Sequence, residues 1–386
     1  MVSYSQHNIS QDDIDAIVEV MRSKSLTQGQ KLPEFEEALA RKTNAKYSVA
    51  VNSATSALHL SCISLGLGPN DILWTCPISF VASSNCGLYC GAKVDFVDID
   101  ILTGLMSISN LESKLEDASK KGTLPKILIP VHLAGSSCDM RRIKELSLKY
   151  GFKIIEDASH AVGAKYLDEP VGNCKYSDIT VFSFHPVKII TTGEGGMALT
   201  NNKYLADQIS KLRGHGIVRE GFNHKSPGPW YYEQQQLGFN YRITDIQAAL
   251  GLSQLKKLDL FVQERRKQIN IYRKIINEID EISLLLEPVG VYSSFHLAII
   301  RLNNANPSQH RLLFEWMRKN DIWVQLHYWP IHLQPYYKKL GFIEGQFPNS
   351  ELYANSAFSI PLFPYLKEST QKKVVELLKE GISKII

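Results

Sequence analysis

One lysine in this chain stands in company that would make its amine reactive. Lys188 follows the strand-like run Val181-Phe182-Ser183-Phe184-His185 and precedes the glycine turn Gly193-Glu194-Gly195-Gly196. Desolvation among apolar and small residues lowers an amine's pKa and frees it to attack a carbonyl. An isolated lysine at a strand end more often snorkels to water, so its companions decide the matter. Upstream, Ile154-Ile155-Glu156-Asp157 sets a carboxylate at the C-terminal end of an apolar strand, where ligands gather in open parallel sheets. An acid there can keep a pyridine nitrogen protonated, so that the ring acts as an electron sink. Taken alone, Asp157 is more often a turn residue or helix cap. The junction Asn52-Ser53-Ala54-Thr55-Ser56 offers backbone N–H groups at a helix N-terminus, a seat for phosphate and equally a plain N-cap.

The elements that must position these residues are legible as alternating patterns. From about residue 30 to 200, helical stretches alternate with short β-branched runs at Tyr47–Val51, Ile72–Trp74, Lys93–Val97, Ile127–Val131, Lys153–Ile155 and Thr180–Phe184. Such alternation predicts βα units and a mainly parallel, covered sheet. Helices are expected directly after the strand at Asn52, and over Met140–Tyr150. After Thr200 a charged, aromatic-rich stretch follows, with a loop at Gly228-Pro229-Trp230, and then one long helix is expected from Thr244 to Ile279. New strand signals at Phe295–Leu302 and Trp323–Leu326 and a closing helix at Glu368–Ile385 indicate a smaller α+β domain. The predicted division is residues 1–255, an N-terminal arm with the large α/β domain, and residues 256–386, the small domain.

Composition narrows the function classes. The 386 residues carry 43 Lys+Arg against 39 Asp+Glu, a formal charge of +4, with the basic doublets scattered among acids, so no nucleic-acid footprint is expected. None of the six cysteines forms a C-x-x-C pair, which predicts reduced, mostly buried thiols and no metal site. No apolar run approaches a membrane span and the N-terminus lacks a signal-peptide pattern, which predicts a cytoplasmic protein. There is no phosphate-binding G-x-x-x-x-G-K-[ST] motif. Gly193-Glu-Gly195-Gly-Met-Ala198 fits G-x-G-x-x-A formally, but it runs into the strand-like Met197-Ala198-Leu199-Thr200 instead of a helix.

Phosphate seat, ring acid and lysine, in this order, resemble the pyridoxal-phosphate (PLP) enzymes of the aspartate-aminotransferase fold, fold type I. More narrowly, the set resembles the DegT/DnrJ/EryC1/StrS sugar aminotransferases. The matching pieces are Leu26-Thr27-Gln28-Gly29 with Phe35-Glu36, Asn52-Ser53-Ala54-Thr55, Pro77-Ile78-Ser79-Phe80, Glu156-Asp157, Ser183-Phe184-His185, Lys188, Glu194-Gly195-Gly196, Arg213-Gly214-His215, and Asn240-Tyr241-Arg242 with Asp245-Ile246-Gln247. They cover nearly the whole chain in family order. Ser159-His160-Ala161, Thr191-Thr192, Leu252–Lys257, Gln325-Leu326-His327-Tyr328 and Gln334-Pro335-Tyr336 most resemble the branch acting at C4 of a UDP-linked 4-keto-6-deoxy-N-acetylhexosamine in pseudaminic acid biosynthesis. Many relatives carry Gln where this chain has His160.

The resemblance implies roles residue by residue. Lys188 would bind PLP covalently and act as acid and base, Asp157 would pair with the pyridinium nitrogen, and Phe80 would stack on the ring, while His160 would approach its phenolic oxygen. Ala54, Thr55 and Ser183 would hold the phosphate, completed by Asn240 from the second subunit of a homodimer. Tyr4, Lys24, Ser25, Leu26, Thr27, Arg242, Gln325, Leu326, His327 and Tyr328 would meet the sugar nucleotide. L-glutamate would be the amino donor, cycling the cofactor between PLP and its pyridoxamine form (PMP). His185 is kept outside the catalytic set. The alternatives are a dTDP- or GDP-linked substrate, a dehydratase on the same cofactor, in which a His typically replaces the lysine, and a non-catalytic nucleotide-sugar sensor.

Overall fold

The computed structural model describes residues 1–304 and 306–386. Helices α1 (Gln11–Met21) and α2 (Lys31–Thr43) precede strand β1 (Tyr47–Val51). Then follow α3 (Ala54–Ser64), β2 (Ile72–Thr75), α4 (Ala82–Tyr89), β3 (Lys93–Phe96), α5 (Ile108–Lys121), β4 (Ile127–Ile129), α6 (Met140–Tyr150), β5 (Lys153–Asp157), β6 (Ile179–Ser183), β7 (Gly196–Thr200) and α7 (Lys203–Leu212). Among the described residues, seven of these strands form one sheet in the order β1-β7-β6-β5-β4-β2-β3. The pairs are parallel except those of β7, which runs antiparallel to both β1 and β6. β6 and β7 are buried at every position, as expected of strands covered on both faces.

The C-terminal part contains α8 (Asp245–Leu255), α9 (Leu258–Ile276), β8 (Ile282–Leu284), β9 (Ala298–Leu302), α10 (Pro307–Lys319), α11 (Pro335–Lys339), α12 (Pro348–Ala354), β10 (Ala357–Ile360) and α13 (Glu368–Ile385). β8, β9 and β10 form an antiparallel sheet, and Ile269, Ile300, Leu313, Phe358 and Val374 share one buried cluster beside it. All six cysteines are free thiols, five of them buried and Cys90 partly so. No helix among the described residues is long and apolar enough to cross a membrane.

Three expectations are corrected. The long helix from Thr244 is two helices, broken at Lys256-Lys257. Both residues keep right-handed backbone angles, so the apolar period runs on; the bend is set by a tertiary contact, Lys257 Nζ donating to the buried carboxylate of Asp13 and to Ser10 Oγ. Trp323–Leu326 makes only isolated bridges, Gln325 to Ser359 and, just before it, Ile322 to Val2, because the N-terminal arm takes up the backbone there. The strand expected from Phe295 begins at Ala298, since Phe295 has a φ of 45° and lies outside extended geometry.

One cross-strand row sets the geometry on which the site depends. Val51 pairs with Gly196, and Gly196 pairs on its other side with Ser183. This row brings the end of β1, the start of β7 and the end of β6 to one edge of the sheet. Gly196 is required there: a Cβ would come within 2.5 Å of the Ala54 nitrogen and the Ser53 carbonyl carbon. β1 is the edge strand, and its outward groups at Ala50 are capped by side chains. Glu36 Oε1 accepts the Ala50 N–H at 2.8 Å, Arg213 donates to the Ala50 carbonyl at 2.6 Å, and Glu36 and Arg213 pair with each other.

Gly196→Ala should therefore force the α3 N-terminus away from β7. Overpacking of this kind costs about 1–3 kcal/mol, to be read as a lowered denaturant midpoint of the cofactor-free protein at unchanged m-value.

Candidate active site

The C-terminal ends of β1, β5 and β6 open onto a cavity of about 640 Å³. Its lining includes Tyr4, Ala54, Thr55, Phe80, Asp157, His160, Ser183, Lys188, His327 and Tyr328, which the sequence motifs had singled out from distant parts of the chain. Ligand sites in open α/β sheets lie at this end of the strands.

Lys188 sits in the turn between β6 and β7, where its backbone N–H donates to the His185 carbonyl at 2.9 Å. Its amine has no hydrogen-bond partner among the described residues. Burial pulls its pKa down to about 8, against a weaker opposing pull from Asp157. A lysine of this kind is largely neutral in mildly alkaline solution, as a nucleophile or general base requires.

Asp157 ends β5 and is 6% exposed. Ser83 Oγ donates to its Oδ2 at 2.6 Å, and the Ser159 hydroxyl and backbone N–H both reach Oδ1, at 2.6 and 3.2 Å. The carboxylate is thus fixed in direction. Glu156, one residue earlier, points to the opposite face as strand alternation demands. Burial raises its pKa, but hydrogen bonds from His132, Ser177 and Thr180 more than offset that and keep the carboxylate ionised.

The α3 N-terminus is built as an anion seat. Ser53 caps the helix through the Ser56 N–H at 3.1 Å and leaves the N–H groups of Ala54 and Thr55 without an intrahelical acceptor. Ser183, at the end of β6, lines the same corner.

His160 and His327 also line the cavity. His160 Nδ1 accepts the Ala134 N–H at 3.3 Å, which places the ring proton on Nε2, 3.1 Å from the Tyr328 hydroxyl. Burial, then the charge of Lys188 and His327, hold the His160 pKa well below its ordinary value. Burial, then Lys188, likewise lower His327 to about 3, while its Nδ1 bonds Ser359 Oγ at 2.8 Å. Phe80 is 59% exposed at the cavity mouth, its ring centroid 6.3 Å from that of Tyr328.

Other expected site residues lie outside this cavity. Lys24, Ser25, Leu26 and Thr27 are exposed on the loop after α1, tied down where the Asp245 N–H donates to the Leu26 carbonyl at 3.0 Å. Asn240 is exposed and bridges Gly214; Arg242 is partly exposed beside it. Gln325 accepts from Arg318 at 2.9 Å, and Leu326 is partly buried next to it. His185 does line the cavity, at an exposed position. Sequence reasoning missed Ser83, whose bond to Asp157 spans 74 residues, and His296, which lines the cavity from the C-terminal part. Ser159 carried a signal, since a serine two residues after an aspartate commonly closes a local turn.

Residues 7–379 match the DegT/DnrJ/EryC1/StrS aminotransferase family. The chain belongs to this family. It is 39% identical to a UDP-4-amino-4,6-dideoxy-N-acetyl-β-L-altrosamine transaminase from Campylobacter jejuni, over 100% of this chain and 98% of the relative. Among solved structures it resembles Helicobacter pylori PseC, an aminotransferase involved in the biosynthesis of pseudoaminic acid, with a TM-score of 0.91 and 30% identity over 99% of each chain. The PMP form of the sugar aminotransferase Spr1654 from Streptococcus pneumoniae gives a TM-score of 0.91 and 28% identity over 100% of each chain; that protein has also been solved with PLP. The fold is that of type I PLP-dependent aminotransferases, and the chain is a PLP-dependent sugar aminotransferase. The residues present fit this cofactor: an unpartnered amine for its aldehyde, an aligned carboxylate for its ring nitrogen and free N–H groups for its phosphate.

The pKa of Lys188 gives a direct check. Attachment of PLP to the cofactor-free protein, followed by visible absorbance, should accelerate with rising pH through an inflection near 8. Lys188→Ala should abolish the band.

Proposed function

We propose that this aminotransferase moves the amino group of L-glutamate to C4 of a UDP-linked 4-keto-6-deoxy-N-acetylhexosamine. The product is UDP-4-amino-4,6-dideoxy-N-acetyl-β-L-altrosamine, for pseudaminic acid biosynthesis. The observation that carries the enzymatic reading is the unpartnered Lys188 amine in one cavity with the oriented Asp157 carboxylate. A dehydratase would have no use for a lysine here, and a sensor would need neither group. The sugar assignment is supported by the full-length likeness to the Campylobacter transaminase.

PLP, when bound, supplies the electron sink that makes a proton shift between donor carbon and cofactor carbon accessible. The chain does the rest. Lys188 Nζ is the base that takes the proton from the donor's Cα and returns it on the other side of the transfer. Asp157 holds the proton on the ring nitrogen. Ala54, Thr55 and Ser183 would take the phosphate, Phe80 would flank the ring, and His160 would turn its Nε2–H from the Tyr328 hydroxyl to the phenolic oxygen. Tyr4, His327 and Tyr328 flank the space left for the sugar.

The exposed Asn240 and the exposed Lys24–Thr27 loop suit a homodimer in which they complete the second subunit's site, Asn240 at the phosphate and the loop, with Arg242, at the diphosphate. Gln325 and Leu326 would shape the sugar pocket from behind His327. The reading places the enzyme in the cytoplasm, with its sugar nucleotide.

Half-reaction spectroscopy tests it. L-glutamate should bleach the visible band of the lysine-bound cofactor, and the UDP-linked 4-keto-6-deoxy-N-acetyl sugar should restore it, while dTDP- and GDP-linked analogues leave it bleached. Restoration by one of those analogues would replace the sugar assignment and keep the transaminase. Asn240→Ala should weaken cofactor retention at least tenfold without changing the denaturant midpoint of the cofactor-free protein.

A further inference from the structure

The cavity contains a polar side chain that the roles above leave unused. His296 is 2% exposed and lines the cavity; its Nδ1 is wholly buried with no hydrogen-bond partner among the described residues, which leaves Nε2 as the ring nitrogen that can reach the cavity. Its ring centroid lies 4.4 Å from that of His160.

The backbone that carries this ring is tied down by side chains on both flanks. Arg265, wholly buried on α9, donates from one guanidinium nitrogen to the carbonyls of His296 and Leu362, both at 3.1 Å, and of Phe295 at 3.4 Å. Arg266 donates to the Ser293 carbonyl at 2.8 Å, and Ser294 Oγ donates to the His160 carbonyl at 3.1 Å. The segment 293–296 is therefore clamped between α9 and the turn after β5.

The charges are one-sided. Among the described residues Arg265 has only carbonyl partners, no carboxylate, and its Nε is unpaired. Of the two acids lining the cavity, Asp157 is committed to Ser83 and Ser159, and Glu194 lies exposed near His185. Burial, then His160, Lys188, Arg265 and His327, push the His296 pKa well below its ordinary value, so the ring is neutral and carries one N–H to give. A buried guanidinium with no acid beside it favours an anion nearby, and a neutral imidazole N–H donates well to one.

We infer that His296, held by Arg265, is a binding residue for a carboxylate of the amino donor. This rests on the aminotransferase reading above and adds to it the side of the cavity on which the donor acid is held. It adds a contact for the donor acid at His296, next to His160, in the same cavity that takes the sugar nucleotide.

The test uses the PLP-loaded protein and its variants His296→Phe and His296→Gln. All three should keep the visible band. In His296→Phe, the L-glutamate concentration that half-saturates bleaching should rise at least tenfold, and the inhibition constant of glutarate, an unreactive dicarboxylate, should rise in parallel. His296→Gln, which retains an N–H donor, should recover part of both. Return of the band with the UDP-keto sugar should saturate at the wild-type concentration. Unchanged donor saturation in His296→Phe overturns the inference, as does an equal rise for the sugar, or loss of the band in both variants. Wild-type protein that shows no band would overturn the aminotransferase reading itself, and the inference with it.

Discussion

The site depends on a single strand running against its neighbours. With β7 antiparallel between β1 and β6, the chain leaves β6, turns through Lys188 and re-enters the sheet at Gly196 beside the β1–α3 junction. Had β7 been parallel, a crossover would have carried its start to the other end of the sheet. Reactive amine and anion seat would then have faced opposite ends. The row Val51–Gly196–Ser183 converts a topological choice into contact between groups far apart in sequence. Gly196 tolerates the closeness because it lacks a side chain.

Around that framework the electrostatics divide cleanly. Asp157 receives three hydrogen bonds and stays fixed, whereas Lys188 receives none. The same burial that lowers the Lys188 pKa keeps His160 and His327 neutral, so the interior offers hydrogen-bond donors and acceptors in place of a cluster of cations. Transfer of an amino group requires such a medium: the lysine has to alternate between holding and releasing a proton without competing bases beside it.

Much of this was legible in the sequence, for a physical reason. The anion seat and Asp157 lie at the ends of strands and Lys188 in the turn that follows one, and short β-branched apolar runs mark such strands, as at β1, β5 and β6. α6 and α13 fall at the residues expected of them, Met140–Tyr150 and Glu368–Ile385. What escaped is long-range. The bond from Ser83 to Asp157 joins two separate elements, and the clamp of Arg265 on His296 bridges 31 residues. The break between α8 and α9 arises from Lys257 meeting Asp13, 244 residues away, while the local pattern stays helical. The Lys24–Thr27 loop and Asn240, singled out by motif, stand away from this chain's own cavity.

The capped edge of β1 bears on how the protein can meet its neighbours. At an ordinary sheet edge, free amides invite another strand, and proteins join or aggregate by extending the ladder. Here Glu36 and Arg213 occupy the outward groups of Ala50, acting as a surrogate strand made of two side chains. A further strand would have to displace these two side chains before it could pair at Ala50. Any association of two copies along this flank must be written in loops and helix faces, whose side chains can recognise a particular partner, whereas an open edge would accept almost any extended chain.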